Sequence, residues 1–192
     1  RFIFDPGSDI PTARERWAAW PHVTERWPET LIVHGTSRAD EAQRTLALRF
    51  QTTLADNFTE QLVPVAKDAE VTEEQLATRD LVLLGGPRDN ALVARLLAEL
   101  GERAPAAFGD GFFSLAGESF GRADDGLFLA LPSPFGADRL VYLFAGNSAL
   151  ALHDMTKAYL VGLPSWARFR GEQVEEQGYL PEPRFVFAGA GE

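Results

Sequence analysis

No cysteine occurs among the 192 residues, so disulfides, thiolate metal sites and cysteine nucleophiles are excluded, while the redox state of the compartment stays open. Histidine is scarce as well: His22, His34 and His153 are scattered, and none pairs with another at helical ligand spacing, so no metal centre is expected. Basic residues are outnumbered, 18 Lys and Arg against 28 Asp and Glu, for a formal net charge of -10. That balance repels phosphate backbones and anionic lipid and sets nucleic acid aside as a partner. No apolar run approaches the roughly 20 residues that cross a bilayer, and residues 1–6 do not read as a signal peptide, so no membrane partner is expected. Neither a Walker loop nor a G-x-G-x-x-G fingerprint follows an apolar run, so no nucleotide or other cofactor is expected. The chain opens on Arg1 rather than methionine, which reads as a processed chain or a piece of a longer one.

What is present is a core. Hydrophobic residues make up 45% of the chain, enough for one domain with appendages. Residues 1–30 are broken by Pro6, Pro11, Pro21 and Pro28 yet carry Trp17, Trp20 and Trp27. They read as an aromatic arm, and the tryptophans are candidates for contact with a partner; the alternative is that they pack on this same domain.

Regular patterning starts at Leu31-Ile32-Val33, passes through His34-Gly35-Thr36-Ser37, and continues with Ala39, Ala42, Leu46, Phe50 and Leu54 on one helical face, with Ser37 placed to cap it. Leu62, Val63 and Val65 suggest a second strand, and Thr72 with Glu74 and Gln75 a short helix. Leu81-Val82-Leu83-Leu84 is apolar on both faces, as a central parallel strand requires. Gly85-Gly86-Pro87 then leads to Leu92, Val93, Leu96, Leu97 and Leu100, a helical stripe stopped by Gly101. From Phe108 to Asp138, Asp110-Gly111 and Asp125-Gly126 punctuate short alternating runs, the grammar of antiparallel hairpins. Leu140 to Ala145 is another buried strand, and Gly146-Asn147-Ser148 opens a helix with Leu152, Met155 and Tyr159 on one face. The expected architecture is an α/β fold, a three-layer α/β/α sandwich with a mostly parallel central sheet and an antiparallel hairpin extension. Its expected divisions are an arm over 1–30, a core domain over 31–162 and a peripheral tail over 163–192.

Three strand ends share one form, apolar run to glycine to helix, which makes Gly35, Thr36, Ser37, Gly85, Gly86, Asn147 and Ser148 candidates for holding a small anion at helix N-termini. The same residues also serve any tight turn and cap. Gly117-Glu118-Ser119-Phe120-Gly121 matches the G-x-S-x-G nucleophile elbow, with His153 and Asp138 or Asp154 available to complete a triad. An elbow joins a strand to a helix, however, and Arg122-Ala123-Asp124-Asp125-Gly126 reads as a turn into another strand. Paired carboxylates such as Asp124-Asp125 and Glu175-Glu176 read as solvated.

The stretch from Leu31 to Ser148, with Glu70-Val71-Thr72-Glu73-Glu74, Asp80 to Asn90 and Leu131-Pro132-Ser133-Pro134, resembles a flavodoxin-like or Rossmann-like accessory module near the C-terminal ends of large bacterial hydrolases, peptidases and esterases of the secreted or periplasmic kind. The resemblance implies a non-catalytic accessory or interaction domain, a protein partner or upstream catalytic domain, and a secreted or periplasmic location. Two alternatives stand beside it: a small serine hydrolase using Ser119 and His153, and a structural subunit of an extracellular assembly.

Overall fold

The computed structural model describes residues 18–59 and 61–180. Trp17, one of the three arm tryptophans, lies outside them. Pro21 opens a short first helix, α1 (Pro21–Glu25), and the chain then enters β1 (Thr30–His34). The elements that follow are α2 (Asp40–Leu54), β2 (Val65–Lys67), α3 (Glu73–Thr78), β3 (Asp80–Leu84) and α4 (Ala91–Leu100). Next come the short strands β4 (Ala106–Phe108), β5 (Phe113–Leu115) and β6 (Glu118–Phe120), then β7 (Asp125–Pro132), β8 (Leu140–Gly146), α5 (Ala149–Met155), β9 (Trp166–Arg170) and β10 (Gln173–Gly178).

Seven strands form one sheet in the order β10-β9-β7-β8-β3-β1-β2, and β4-β5-β6 form a small antiparallel sheet. The large sheet changes character at β8. From β2 through β1 and β3 to β8 all pairs are parallel, whereas β7, β9 and β10 add on antiparallel. Each parallel pair needs a helical crossover, which α2, α3 and α4 supply, while in the antiparallel half loops join β7 to β8 and β9 to β10 and the chain passes from β8 to β9 through α5. β3 lies between β1 and β8 and is buried along its whole length, as its unbroken apolar run requires.

Side chains alternate across the sheet into two apolar clusters. Ile32, Val82, Leu84, Phe128, Tyr142 and Phe144 share one cluster with Phe50, Leu152 and Met155. Leu31, Leu81, Leu83, Leu127, Leu129 and Leu143 share the other with Leu92, Leu96 and Phe113. Because the strand period is two, the clusters lie on opposite faces, with α2 and α5 over the first and α4 and the small sheet over the second.

Several expectations shift in the structure. The helix after β1 starts at Asp40, not at Ser37; Ala39 occupies the N-cap in the left-handed region (φ 48°), and the Ser37 N–H is spent on the Asp89 carbonyl at 3.2 Å. The buried face of α2 is Gln43, Ala47, Phe50 and Leu54, which leaves Ala42 exposed and Leu46 half-buried. The edge strand after α2 is confined to Val65–Lys67, with Leu62 exposed. Asp125-Gly126 is no turn but the buried start of β7, where a Gly126 side chain would collide with Met155. Helix α5 ends at Met155, so Tyr159 leaves the expected face and is 78% exposed. Residues 163–180, expected in a peripheral tail, include β9 and β10 of the main sheet, with Ala167 and Phe169 wholly buried.

The described part of the segment read as an arm, residues 18–30, packs inward. Trp20 is 1% exposed and meets Phe128, Tyr142 and Phe144 edge-on at 5.4–5.9 Å between ring centroids, stacking on Phe50 at 6.3 Å. Trp27 is buried against Trp20 at 6.5 Å. Neither indole is presented to a partner, because together they cover the aromatic face of the sheet that α2 and α5 leave open.

Candidate functional site

The sheet order places the ends of β1, β3 and β8 side by side, so the three glycine turns meet along one margin, as the strand-end pattern suggested. What fills that margin is the protein's own polar side chains. Asp68, in the turn after β2, is 5% exposed. Its Oδ1 accepts the Thr36 hydroxyl at 2.6 Å and the Ala69 N–H at 2.9 Å, and its Oδ2 accepts the Ala91 N–H at 2.7 Å. A carboxylate at the first turn of α4 is what the helix's unpaired amides and dipole favour, so the anion position is taken from within the chain. Asn90 completes the closure: its Oδ1 caps the Leu92 and Val93 N–H groups, and its Nδ2 donates to the Val33 and Leu84 carbonyls that end the two strands.

The glycines serve this closure. Gly35 approaches the Asp89 carbonyl so closely that any side chain would overlap it, and Gly85 takes φ 100° to turn out of β3 while its N–H bonds the Phe144 carbonyl at 2.9 Å. Gly86 alone faces open space. At the third turn, Asn147 Nδ2 donates to the Phe120 and Arg122 carbonyls. The Ser148 hydroxyl donates to the Ala123 carbonyl and accepts the Ala151 N–H. The turn residues predicted from sequence are therefore brought together, and their hydrogen-bonding groups tie the strand ends to each other and to the loop before β7.

His34, at the end of β1, is buried, and its Nδ1–H donates to the Gly35 carbonyl at 3.1 Å, with Asp40 Oδ1 at 3.8 Å. Asp40 in turn pairs with Lys67 at 3.1 Å, which holds the Lys67 ammonium above its ordinary pKa through that hydrogen bond.

Ser119 lies elsewhere. It sits in the middle of β6, opposite Ser114 of β5, and is exposed. After Phe120 the chain turns through residues 121–124 into β7, so no helix follows the serine and its hydroxyl is not held on a strand-to-helix bend. His153 lies on α5, where it lines a groove against α2, and no hydrogen bond joins it to Ser119. Asp138 is exposed in the loop before β8, with φ 58°, and its carbonyl accepts from Arg26. The three residues of the hypothetical triad belong to three separate elements with no contact among them.

Three buried acids escaped the sequence reading: Asp68, Asp80 and Asp125, the last read as solvated yet 2% exposed at the start of β7. Asp68 lies just before the acidic stretch from Glu70 to Glu74, and nothing in its spacing announces the reach across to α4. Asp80 opens β3 beneath the opposite end of the sheet; its Oδ1 accepts the Leu140 N–H at 3.0 Å, with Arg26 3.6 Å away. Burial pushes the Asp80 carboxyl above its ordinary pKa, against the lowering pull of that N–H and of Arg26. Among the described residues no group of three or more His, Asp and Glu side chains could hold a metal ion, and no helix is long and apolar enough to cross a membrane.

Fold and margin together define a mixed α/β domain whose strand-end crevice is closed by its own side chains. No protein-family model matches the chain, and no curated protein matches it.

Proposed function

We propose that the chain is a non-catalytic accessory or interaction domain, belonging with a bacterial hydrolase of the secreted or periplasmic kind and taking its catalytic partner from outside these residues. The observation that carries this reading is the closed crevice: the position where an open α/β sheet receives its ligand is filled by Asp68, bonded to the Thr36 hydroxyl and the Ala91 N–H, and by Asn90, bonded to the Val33 and Leu84 carbonyls. Helices over both faces of the large sheet favour the three-layer sandwich expected of such modules. β9 and β10 pair into the same seven-stranded sheet as β1, which supports a core that extends beyond residue 162.

The rival reading, a small serine hydrolase using Ser119 and His153, has against it the mid-strand position of Ser119. The third, a subunit of an extracellular assembly joined through the arm, loses its motive where Trp20 and Trp27 turn into this chain's own core.

A fluorophosphonate probe separates the first two. The accessory reading expects no covalent labelling of the folded chain, and labelling abolished by Ser119→Ala would overturn it. Reading the encoding gene upstream of the Arg1 codon supplies the complementary test: a hydrolase domain in the same frame supports the reading, and a frame holding no second domain counts against it.

A further inference from the structure

Ala42 and Leu46 recur with Phe50 at helical spacing, yet Ala42 is exposed and Leu46, packed at the border of the core, is only half-buried, and both face toward α5. There they form one wall of an open groove of about 410 Å³, and Ala149 and Leu152 of α5 form the other. A second hollow of about 400 Å³ continues it toward the helix C-termini, and Arg49 and His153 line both. Volumes of this size are in the range of small-molecule sites, which combine apolar walls with a few convergent polar groups.

The charge in the groove runs against the rest of the molecule. In a chain of net charge -10, the second hollow is lined by Arg49, His153 and Lys157 with no carboxylate among its lining residues. Lys157 is already shared between Asp154 at 3.5 Å and Glu172 at 3.6 Å. The guanidinium of Arg49 and the ring of His153 have no hydrogen bond or ion pair with any described residue, which leaves Arg49 as the one uncompensated cation of the groove. Glu41 stands at the far end, beside Ala39.

We propose that this groove binds an amphiphilic monocarboxylate, its apolar body lying on Ala42, Leu46 and Ala149 and its carboxylate at Arg49 with the His153 ring alongside. A single uncompensated guanidinium matches a single carboxylate in bidentate geometry. The site is independent of the accessory-domain reading, since a chain with or without catalytic activity would carry the same groove.

Titration of the full chain with decanoate, followed by two-dimensional amide NMR, tests the assignment, with decanol as the uncharged counterpart and inorganic phosphate as a bare anion. Decanoate is expected to shift amides of residues 42–53 and 149–157 and to bind about tenfold more tightly than either control, a factor equal to about 1.4 kcal/mol. Arg49→Gln, an exchange at an exposed helical position, is expected to weaken decanoate about tenfold while leaving the decanol response and the remaining spectrum unchanged, and Arg49→Lys to restore part of the loss. Equal affinity for decanoate and decanol, phosphate binding as tightly as decanoate, or an Arg49→Gln protein that binds as the wild type does would each overturn the proposal.

Discussion

Replacing Asp68 by asparagine probes the closure of the strand-end crevice directly. The side chain keeps its size and retains one acceptor oxygen, but its amide nitrogen must then face either the Thr36 hydroxyl and Ala69 N–H or the Ala91 N–H. The hydroxyl can rotate to accept; a backbone N–H cannot. At least one hydrogen bond from a buried N–H to a charged acceptor is thus lost, worth about 1.5–3 kcal/mol. Loss of a full charge at the first turn of α4 adds roughly 0.3–1 kcal/mol. The sum is about 2–4 kcal/mol, and with a urea slope of about 2 kcal/mol per molar the unfolding midpoint should fall by roughly 1–2 M. Urea unfolding followed by far-ultraviolet circular dichroism measures it. A midpoint within about 0.25 M of the wild type, equivalent to 0.5 kcal/mol on the same slope, would refute the claim that Asp68 seals the margin.

Four further substitutions probe other parts of the molecule. Asp80→Asn should change the pH dependence of stability: a carboxyl raised by burial contributes stability below its unfolded pKa that is lost as pH rises through the folded pKa. The wild type should therefore weaken relative to the variant as pH rises above about 4, and parallel thermal-midpoint curves from pH 3 to 8 would contradict this. Trp20→Ala empties the centre of an aromatic cluster and should cost about 3–5 kcal/mol in chemical denaturation; an unchanged midpoint would mean that the indole lies on the surface. Gly35→Ala forces a side chain against the Asp89 carbonyl and should cost about 1–3 kcal/mol, seen as a lowered thermal midpoint, whereas Gly86→Ala, facing open space, should stay within about 0.5 kcal/mol.

The elements with a strong local signature were legible. Leu81 to Leu84 declared a central strand because an unbroken apolar run of that length has no other stable place, and Leu92 to Leu100 declared a helix through its spacing and the Gly101 stop. Thr72, Glu74 and Gln75 marked a short helix, and Thr72 and Gln75 cap it reciprocally. Long-range partners were not legible. Whether α2 buries Ala42 or Ala47 depends on which way the helix is rolled against the sheet, and both faces carry small apolar residues. Gln173 to Gly178 looks like solvated tail because every residue except the last is exposed, and only pairing with β9 makes it a strand. Asp68 is hidden for the same reason: its three donors come from residues 36, 69 and 91, a set no periodicity reveals. The Ser119 pattern carried a false signal, since two glycines around a serine fit a hairpin as readily as an elbow.

The two margins of the large sheet carry a final consequence for how copies of this protein meet. One margin is β2, three residues long; the other is β10, where a register irregularity between Val174 and Glu176 breaks the ladder and two adjacent glutamates decorate the strand. A flat, uninterrupted border would offer its free amides to the next molecule as a template. Here a stub ends one side and a kinked, negatively charged ribbon the other. Concentrated solutions should therefore resist edge-to-edge growth of the large sheet into fibres, and contacts at its two margins should be made by side chains rather than by adding a strand.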